Sequence, residues 1–433
     1  MRRFGWFWFC VGAATATATS AAAQDTVRVQ GVYDPGVRPG LVVMPSSVAL
    51  DSIRAIIARD LDFSDQFEVI ALPATGGPVG PATGAPINYP LYRTLRASYA
   101  VEVLGAGGSV TIRLHDLGTE VVRQEMAVPL DPSGQGEARM AVHRVSDEIV
   151  RWMTGKPGVS ATRVLFLNNG DKRIYRVDSD GYGVVPMSPP NLLVLSPVWS
   201  PDGSRFAYTQ LGGEGAGAIV IQSVATGTRQ VVPTTNVGQN ITPSFSPDGR
   251  KLVFSRLTEQ AANLHAVNVA DLCCLERLTA GRFAENLSPV YSPDSRRIAY
   301  VSNRAGSPQV YSMAADGTDQ ELMIPFDYGA GGNSFAPDWS PDGTTIVFHR
   351  EYGGNPQLVT FDVSSRQVKA RTSSGRNEDP SFAPDGRHVV FVSNRTGRGQ
   401  LHVLDLETGR VRQLASPGSA RLPSWSRPLG RSR

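Results

Sequence analysis

The residues of this chain that could do chemistry are few and scattered. Six histidines occur in 433 residues. His265 and His402 fall in segments that read as third strands of a repeat, and His349 and His388 lie near second strands, positions that suit structural roles. No Gly-x-Ser-x-Gly stretch is present, so the nucleophile elbow of a serine hydrolase has no candidate. Cys273 and Cys274 are adjacent, with no histidine or further cysteine nearby to complete a metal site. A bridge between neighbours needs a strained ring, so the pair reads as two small apolar residues at a turn.

A set of polar residues is more telling. Gln239-Asn240, Glu285-Asn286, Asn333-Ser334 and Asn377-Glu378 each stand just ahead of one repeated motif, and Asn240, Asn286 and Asn377 lie three residues before its proline. A ring of such residues suits recognition of a folded partner or an inserted peptide through hydrogen bonds. A metal-dependent enzyme would need convergent acidic residues, and most of these are amides. A channel-bound cation stays open, but no carboxylate cluster demands one.

The motif that carries these residues reads SPVWSPDGSRFAY from Ser196, TPSFSPDGRKLVF from Thr242, SPVYSPDSRRIAY from Ser288, APDWSPDGTTIVF from Ala336 and DPSFAPDGRHVVF from Asp379, with a truncated LPSWSRP from Leu422. Its marker aromatics, Trp199, Phe245, Tyr291, Trp339, Phe382 and Trp425, are spaced by 46, 46, 48, 43 and 43 residues. That period holds four short strands with their turns, the content of one propeller blade. Proline presets φ at the second turn position, aspartate accepts local backbone bonds, and glycine takes the left-handed position. A second aromatic column follows nine residues later at Tyr208, Phe254, Tyr300, Phe348 and Phe391. Both columns are predicted to pack between blades rather than to offer stacking platforms. Strands at 164–167 and 174–177 lack an inner partner, and the unit at Trp425 lacks outer ones. Joining them makes a sixth blade and closes the ring, which leaves no open sheet edge. The Asp-Gly turns then share one face, and the loops that carry the polar ring share the other, with Asn303-Arg304 and Asn394-Arg395 beside it.

Residues 1–23 read as a secretory leader. Arg2 and Arg3 precede an apolar run too short to span a bilayer, and Ala21-Ala22-Ala23 offers a peptidase site, with cleavage between Ala23 and Gln24. The mature chain is therefore expected outside the cytoplasm. Residues 24–159 form a mixed α/β domain: a strand at 40–45, a helix carrying Ile53, Ile56, Ile57 and Leu61, a strand at 67–72, a Pro/Gly-rich loop at 73–90, a hairpin at 99–114 and a last helix through Val142, Val145, Ile149 and Trp152. Residues 160–433 form the propeller. A formal charge of +3 without a basic stripe argues against nucleic acid.

A leader, a small α/β domain and a six-bladed propeller of Ser-Pro-Asp-Gly units, in that order, resemble the TolB family of the Tol–Pal system. Val145-Ser146-Asp147-Glu148, Met153-Thr154-Gly155 and Asp180-Gly181-Tyr182 add to the likeness. The resemblance implies a non-enzymatic periplasmic adaptor without a cofactor or direct membrane insertion, supporting outer-membrane integrity and constriction during division. It implies that the propeller docks a Pal-like peptidoglycan-associated lipoprotein, and that Asp25 to Asp34 engages a TolA-like inner-membrane protein. Val27, Val29 and Val32 alternate as in a strand that adds to a partner's sheet edge, or equally one that pairs with the front domain's own sheet. The rival functions are a propeller hydrolase and a glycan- or small-ligand-binding propeller; the latter would show exposed aromatics on the channel face.

Overall fold

The structure is a computed structural model that describes residues 38–72, 86–106, 108–129, 136–213, 217–233, 238–324, 332–414 and 416–429. The leader, its cleavage site at Ala23 and Gln24, and Asp25, Val27, Val29 and Val32 lie outside the described residues.

The front domain is a mixed sheet of β1 (Gly40–Val43), β2 (Glu68–Val69), β3 (Tyr99–Ala106), β4 (Ser109–Asp116) and β5 (Val121–Val128), in the order β2-β1-β3-β4-β5. Helices α1 (Asp51–Phe63) and α3 (Gly136–Thr154) cover it. Ile53, Ile57 and Leu61 fall on one side of α1 at helical spacing and meet Val142, Val145 and Ile149 of α3 over Leu41, Val101 and Ile112. The expected strand at 67–72 shortens to the two residues of β2. Two elements were not expected. The edge strand β5 is largely exposed, so it shows no clean alternation. The short helix α2 (Tyr89–Thr94) begins in the last two residues of the expected loop; Asn88 caps it by accepting from the Leu91 N–H, and Pro90 suits its first turn.

The rest is six four-stranded antiparallel sheets. Their inner strands are Val194–Trp199, Gln239–Phe245, Asn286–Tyr291, Ser334–Trp339, Asn377–Phe382 and Ala420–Trp425, which define blades one to six. The sixth blade is shared between the ends of the propeller segment. Ala420–Trp425 pairs with Arg163–Asn168, followed by Arg173–Asp178 and Val185–Pro186. The Trp425 indole N–H donates to Thr162 Oγ1 at 2.8 Å, and the Arg163 N–H donates to Ser426 Oγ at 2.9 Å, fastening the joint.

Each Ser-Pro-Asp-Gly turn is a small hydrogen-bonded unit. Ser200 Oγ donates to Asp202 and accepts from the Arg205 N–H, while Asp202 accepts from the Ser204 N–H. Ser246, Ser292 and Ser340 repeat this with Asp248, Asp294 and Asp342. The second aromatic column is fully buried, and pairing adds Phe166 to it from the sixth blade. His265 and His402 lie opposite members of that column and pack on Phe254 and Phe391; His402 is buried and His265 half-buried, and burial lowers the pKa of both.

The front domain docks on the turn face. Buried His388 lies between Asp385, 2.6 Å from Nδ1, and Asp65 at the end of α1, 3.2 Å from Nε2. Arg387 bonds Asp405 and the Asp65 carbonyl, Arg410 bonds Asp62 and Asp65, and the Arg412 guanidinium stacks 4.2 Å from the Phe63 ring centre. Nearby, Asp180 receives Arg59 and Arg139, whose guanidinium also covers Tyr182. The linker is held as well: Asp147 on α3 accepts from the N–H groups of Ser160 and Ala161 at 2.6 and 2.9 Å. A Cβ at Gly158 would stand 2.3 Å from that carboxylate, which explains the glycine.

Burial lowers the His388 pKa, but the two carboxylates outweigh it and push it up to about 9. A raised histidine pKa adds stability that is complete below about 6.5 and lost as pH rises through about 9. Urea unfolding of the full chain should therefore lose up to about 3 kcal/mol between pH 6.5 and 9.5 through this group. In His388→Gln that component of the pH slope should be absent.

Candidate functional site

The inner strands enclose a channel of about 310 Å³. Its wall is built by one irregularity repeated six times. Ser196, Thr242, Ser288, Ala336, Asp379 and Leu422 all take φ between 49° and 53°, a left-handed conformation costly for non-glycine residues. Each precedes a proline, and the pairing with the second strand slips there in every blade. Proline has no N–H to give, so it is tolerated at a bulge on the strand that edges the channel. Side chains of this wall clip neighbouring blades. Ser424 accepts from the Trp199 N–H, Ser381 from Trp425, Thr242 from Ser288 and Asp379 from Leu422.

The channel wall also carries two carboxylates, Asp338 and Asp379, against the expectation of mostly amides. Asp338 accepts from the Phe382 N–H at 2.7 Å and the Trp339 N–H at 3.0 Å. Burial pushes its carboxyl up to about 6 despite those bonds, and Asp379 is raised by the same cause. Elsewhere among the described residues, two groups have the spacing to share a cation: Asp60, His143 and Asp180, and Asp65, His388 and Asp405. Both lie in the seam between domains. Asp180 and Asp405 are already neutralised by Arg139 and Arg387, which disfavours a cation there.

The expected polar ring divides into two layers. Asn240, Asn286 and Asn377 are buried, at 1%, 0% and 0% exposure, beneath the solvent-facing layer. Asn240 and Asn286 give their side-chain N–H groups to the Gly217 and Ala262 carbonyls of the preceding blade, and Asn377 to the Gln357 side chain. Arg304 and Arg395 point inward and donate to Asn286 and Asn377, while covering Tyr311 and Phe391. Asn303 and Asn394 accept from the N–H groups of Glu285 and Arg376, which ties the loops together. Three amides expected to face a partner are instead fasteners between blades, because a buried carbonyl at each blade junction needs a donor.

What faces solvent is the layer above. Gln239 and Glu285 are exposed, and Asn333 and Glu378 are half-buried. Counting back from each proline puts Arg376, not Asn377, in the column of Gln239, Glu285 and Asn333; that alignment was available in the sequence. Glu378 bridges Arg376 at 2.7 Å and Arg421 at 3.7 Å, so this side of the rim is an ion-pair network. Phe283, in the loop that enters the third blade, is 88% exposed. Nothing in its local pattern marks it, since it lies outside both aromatic columns.

The arrangement defines a closed propeller scaffold with a mixed polar rim at one mouth and an accessory domain on the opposite face. The TolB beta propeller domain model matches residues 150–429, and the chain belongs to that family. Among curated relatives, the Tol-Pal system protein TolB of Methylococcus capsulatus is 31% identical over 49% of this chain and 52% of its own length. The protein of the same name from Xanthomonas euvesicatoria is 29% identical over 52% and 54%, and that of Haemophilus influenzae 31% over 50% and 53%. The chain thus spans about half the length of the curated relatives it matches. In fold it is similar to the crystal structure of TolB from Acinetobacter baumannii, with a TM-score of 0.76 and 24% identity over 90% of this chain and 97% of that one. No helix among the described residues is long and apolar enough to cross a membrane.

Exchanging a buried fastener should differ from exchanging a rim residue. Asn286→Ala removes the side-chain bonds to the Ala262 carbonyl and to Arg304 and should cost on the order of 1–3 kcal/mol in urea unfolding. Glu285→Ala, one residue away, should stay within about 0.5 kcal/mol.

Proposed function

We propose that this protein is a non-enzymatic periplasmic adaptor of a Tol–Pal-like cell-envelope complex, whose loop-side mouth receives a Pal-like peptidoglycan-associated lipoprotein. The observation that carries this reading is the mouth itself. Gln239, Glu285, Arg376, Arg421 and Phe283 present exposed charge, amide and one aromatic ring, the mixture found where two folded proteins meet. The seam contacts described above all fall on the opposite face, so the described residues of the front domain leave this mouth clear. The relatives carry the name of the Tol-Pal system, which supports the choice of partner class.

In the same reading, the segment Asp25 to Asp34 engages a TolA-like inner-membrane protein as an added strand. A role in outer-membrane integrity and constriction would follow from joining the two partners. The histidines support an adaptor over a hydrolase: His265 and His402 pack on buried aromatic rings, and His388 is committed to a salt bridge. Exposed Phe283 also fits a glycan-binding mouth, and capture by isolated peptidoglycan without the lipoprotein would select that alternative.

Calorimetric titration with the soluble domain of a Pal-like lipoprotein from the same envelope tests the assignment. Gln239→Lys combined with Glu285→Lys should weaken binding about tenfold or more while leaving Tm unchanged. Unchanged affinity would remove the mouth from the account, and robust turnover of generic peptide or lactone substrates would remove the adaptor. Deleting Gln24 to Tyr33 should abolish binding of a TolA-like domain and leave lipoprotein binding intact.

A further inference from the structure

One blade departs from the repeat in a way that involves both remaining cysteines. In five blades, the third-strand residue opposite the second aromatic column pairs with a fourth-strand residue eleven positions on. The pairs are Tyr175 with Pro186, Val220 with Val231, Tyr311 with Leu322, Val359 with Ala370 and His402 with Gln413. In the second blade, His265 pairs with Arg277, twelve positions on. The closing bond of the turn is ordinary: the Asn268 N–H donates to the Cys273 carbonyl, as the Asp405 N–H donates to Arg410. Leu272 takes the left-handed place that Gly409 takes in the fifth blade. The extra residue therefore falls just after the turn, at Cys274, which has φ 62°.

That inserted residue is bridged to its neighbour. Cys273 and Cys274 form a disulfide, correcting the expectation of two free small side chains at a turn. Cys274 is exposed and Cys273 half-buried, so the bond is open to reagents. A carboxylate oxygen of Asp271 lies 3.1 Å from Cys273 Sγ and its other oxygen accepts the Cys273 N–H, so a thiol formed there would meet an acceptor already in place. The bridged Cys274 is a non-glycine residue in a left-handed conformation that costs roughly 1–2 kcal/mol. Beyond it lies a two-residue outer strand, Glu276–Arg277, whose register is weakly specified because it is short and exposed.

We propose that Cys273–Cys274 is a reversible redox site whose oxidation state sets the register of the second blade's outer strand. Oxidation takes two electrons and two protons from the thiols. One thiolate attacks the disulfide of a thiol oxidoreductase or low-molecular-weight disulfide, and the second displaces it from the mixed disulfide, leaving the S–S bond here and two thiols on the reagent. An external dithiol reverses the exchange. With the bridge open, Cys274 leaves its left-handed conformation and the strand after it loosens or slips.

The test uses the full chain carrying Cys10→Ser, so that only these two thiols count. Alkylation after denaturation, read by intact mass, should add no label to the oxidised protein and two after native treatment with dithiothreitol. Hydrogen exchange over 275–279 should then accelerate about tenfold, with the other blades unchanged, and oxidised glutathione should restore it. Resistance to native reduction, or reduction without a change in exchange, would make the bridge an inert staple and overturn the proposal. Deleting Cys274 should restore the eleven-residue spacing and give slow exchange under both conditions; redox-dependent exchange in that variant would equally contradict it. Should the variant not fold, the comparison of oxidised and reduced parent protein still decides.

Discussion

Everything else in the propeller depends on one strand pairing, that of Ala420–Trp425 with Arg163–Asn168. The two segments come from opposite ends of the propeller sequence, so the ring exists only once the chain has returned to its start. Their junction is also where the front domain attaches. Thr162, which receives the Trp425 indole, follows directly on the linker residues gripped by Asp147. A closed ring removes open edges, and it fixes six inner strands at one radius. That geometry allows a bulge with proline at the same position of every blade.

Ring closure gives the molecule two unlike faces. The turn face carries Ser-Asp-Gly units bonded within themselves and ion pairs to the front domain, buried at His388–Asp65 and Arg139–Asp180 and half-exposed at Arg410–Asp62. Such pairs cost desolvation, and they hold only because each carboxylate meets a guanidinium or an imidazolium in good geometry. The loop face is organised differently. Its lower layer of asparagines satisfies backbone carbonyls at the blade junctions, and its upper layer is left to solvent. Recognition at this mouth therefore need not disturb the fasteners beneath it.

Much of this was legible in the sequence because the repeat is strict where physics is strict. Aromatic columns, proline positions and turn glycines gave the blade count, the closure and the two faces. Edge strand β5 and helix α2 escaped because one is exposed on both sides and the other is only six residues long and begins at the end of a loop-like stretch. The candidate site was legible only in part. A polar residue before the motif reads the same whether it points to solvent or into a blade junction, so Asn240, Asn286 and Asn377 were grouped with Gln239 and Glu285. Burial separates them, and burial depends on the position of the neighbouring blade. Asp338 was hidden for the converse reason: it stands inside the motif, where its neighbours in other blades are serine or valine.

The central claim is that a partner docks on the loop face and leaves the turn face untouched. Hydrogen exchange of the full chain, with and without the soluble domain of a Pal-like lipoprotein, the proposed partner, measures this directly. The account predicts slowed exchange in the loops that carry Gln239, Phe283, Glu285, Asn333 and Arg376, and no change in the turns at Asp202, Asp248, Asp294 and Asp342. Protection confined to those turns, or to the seam around Asp65 and His388, would contradict it.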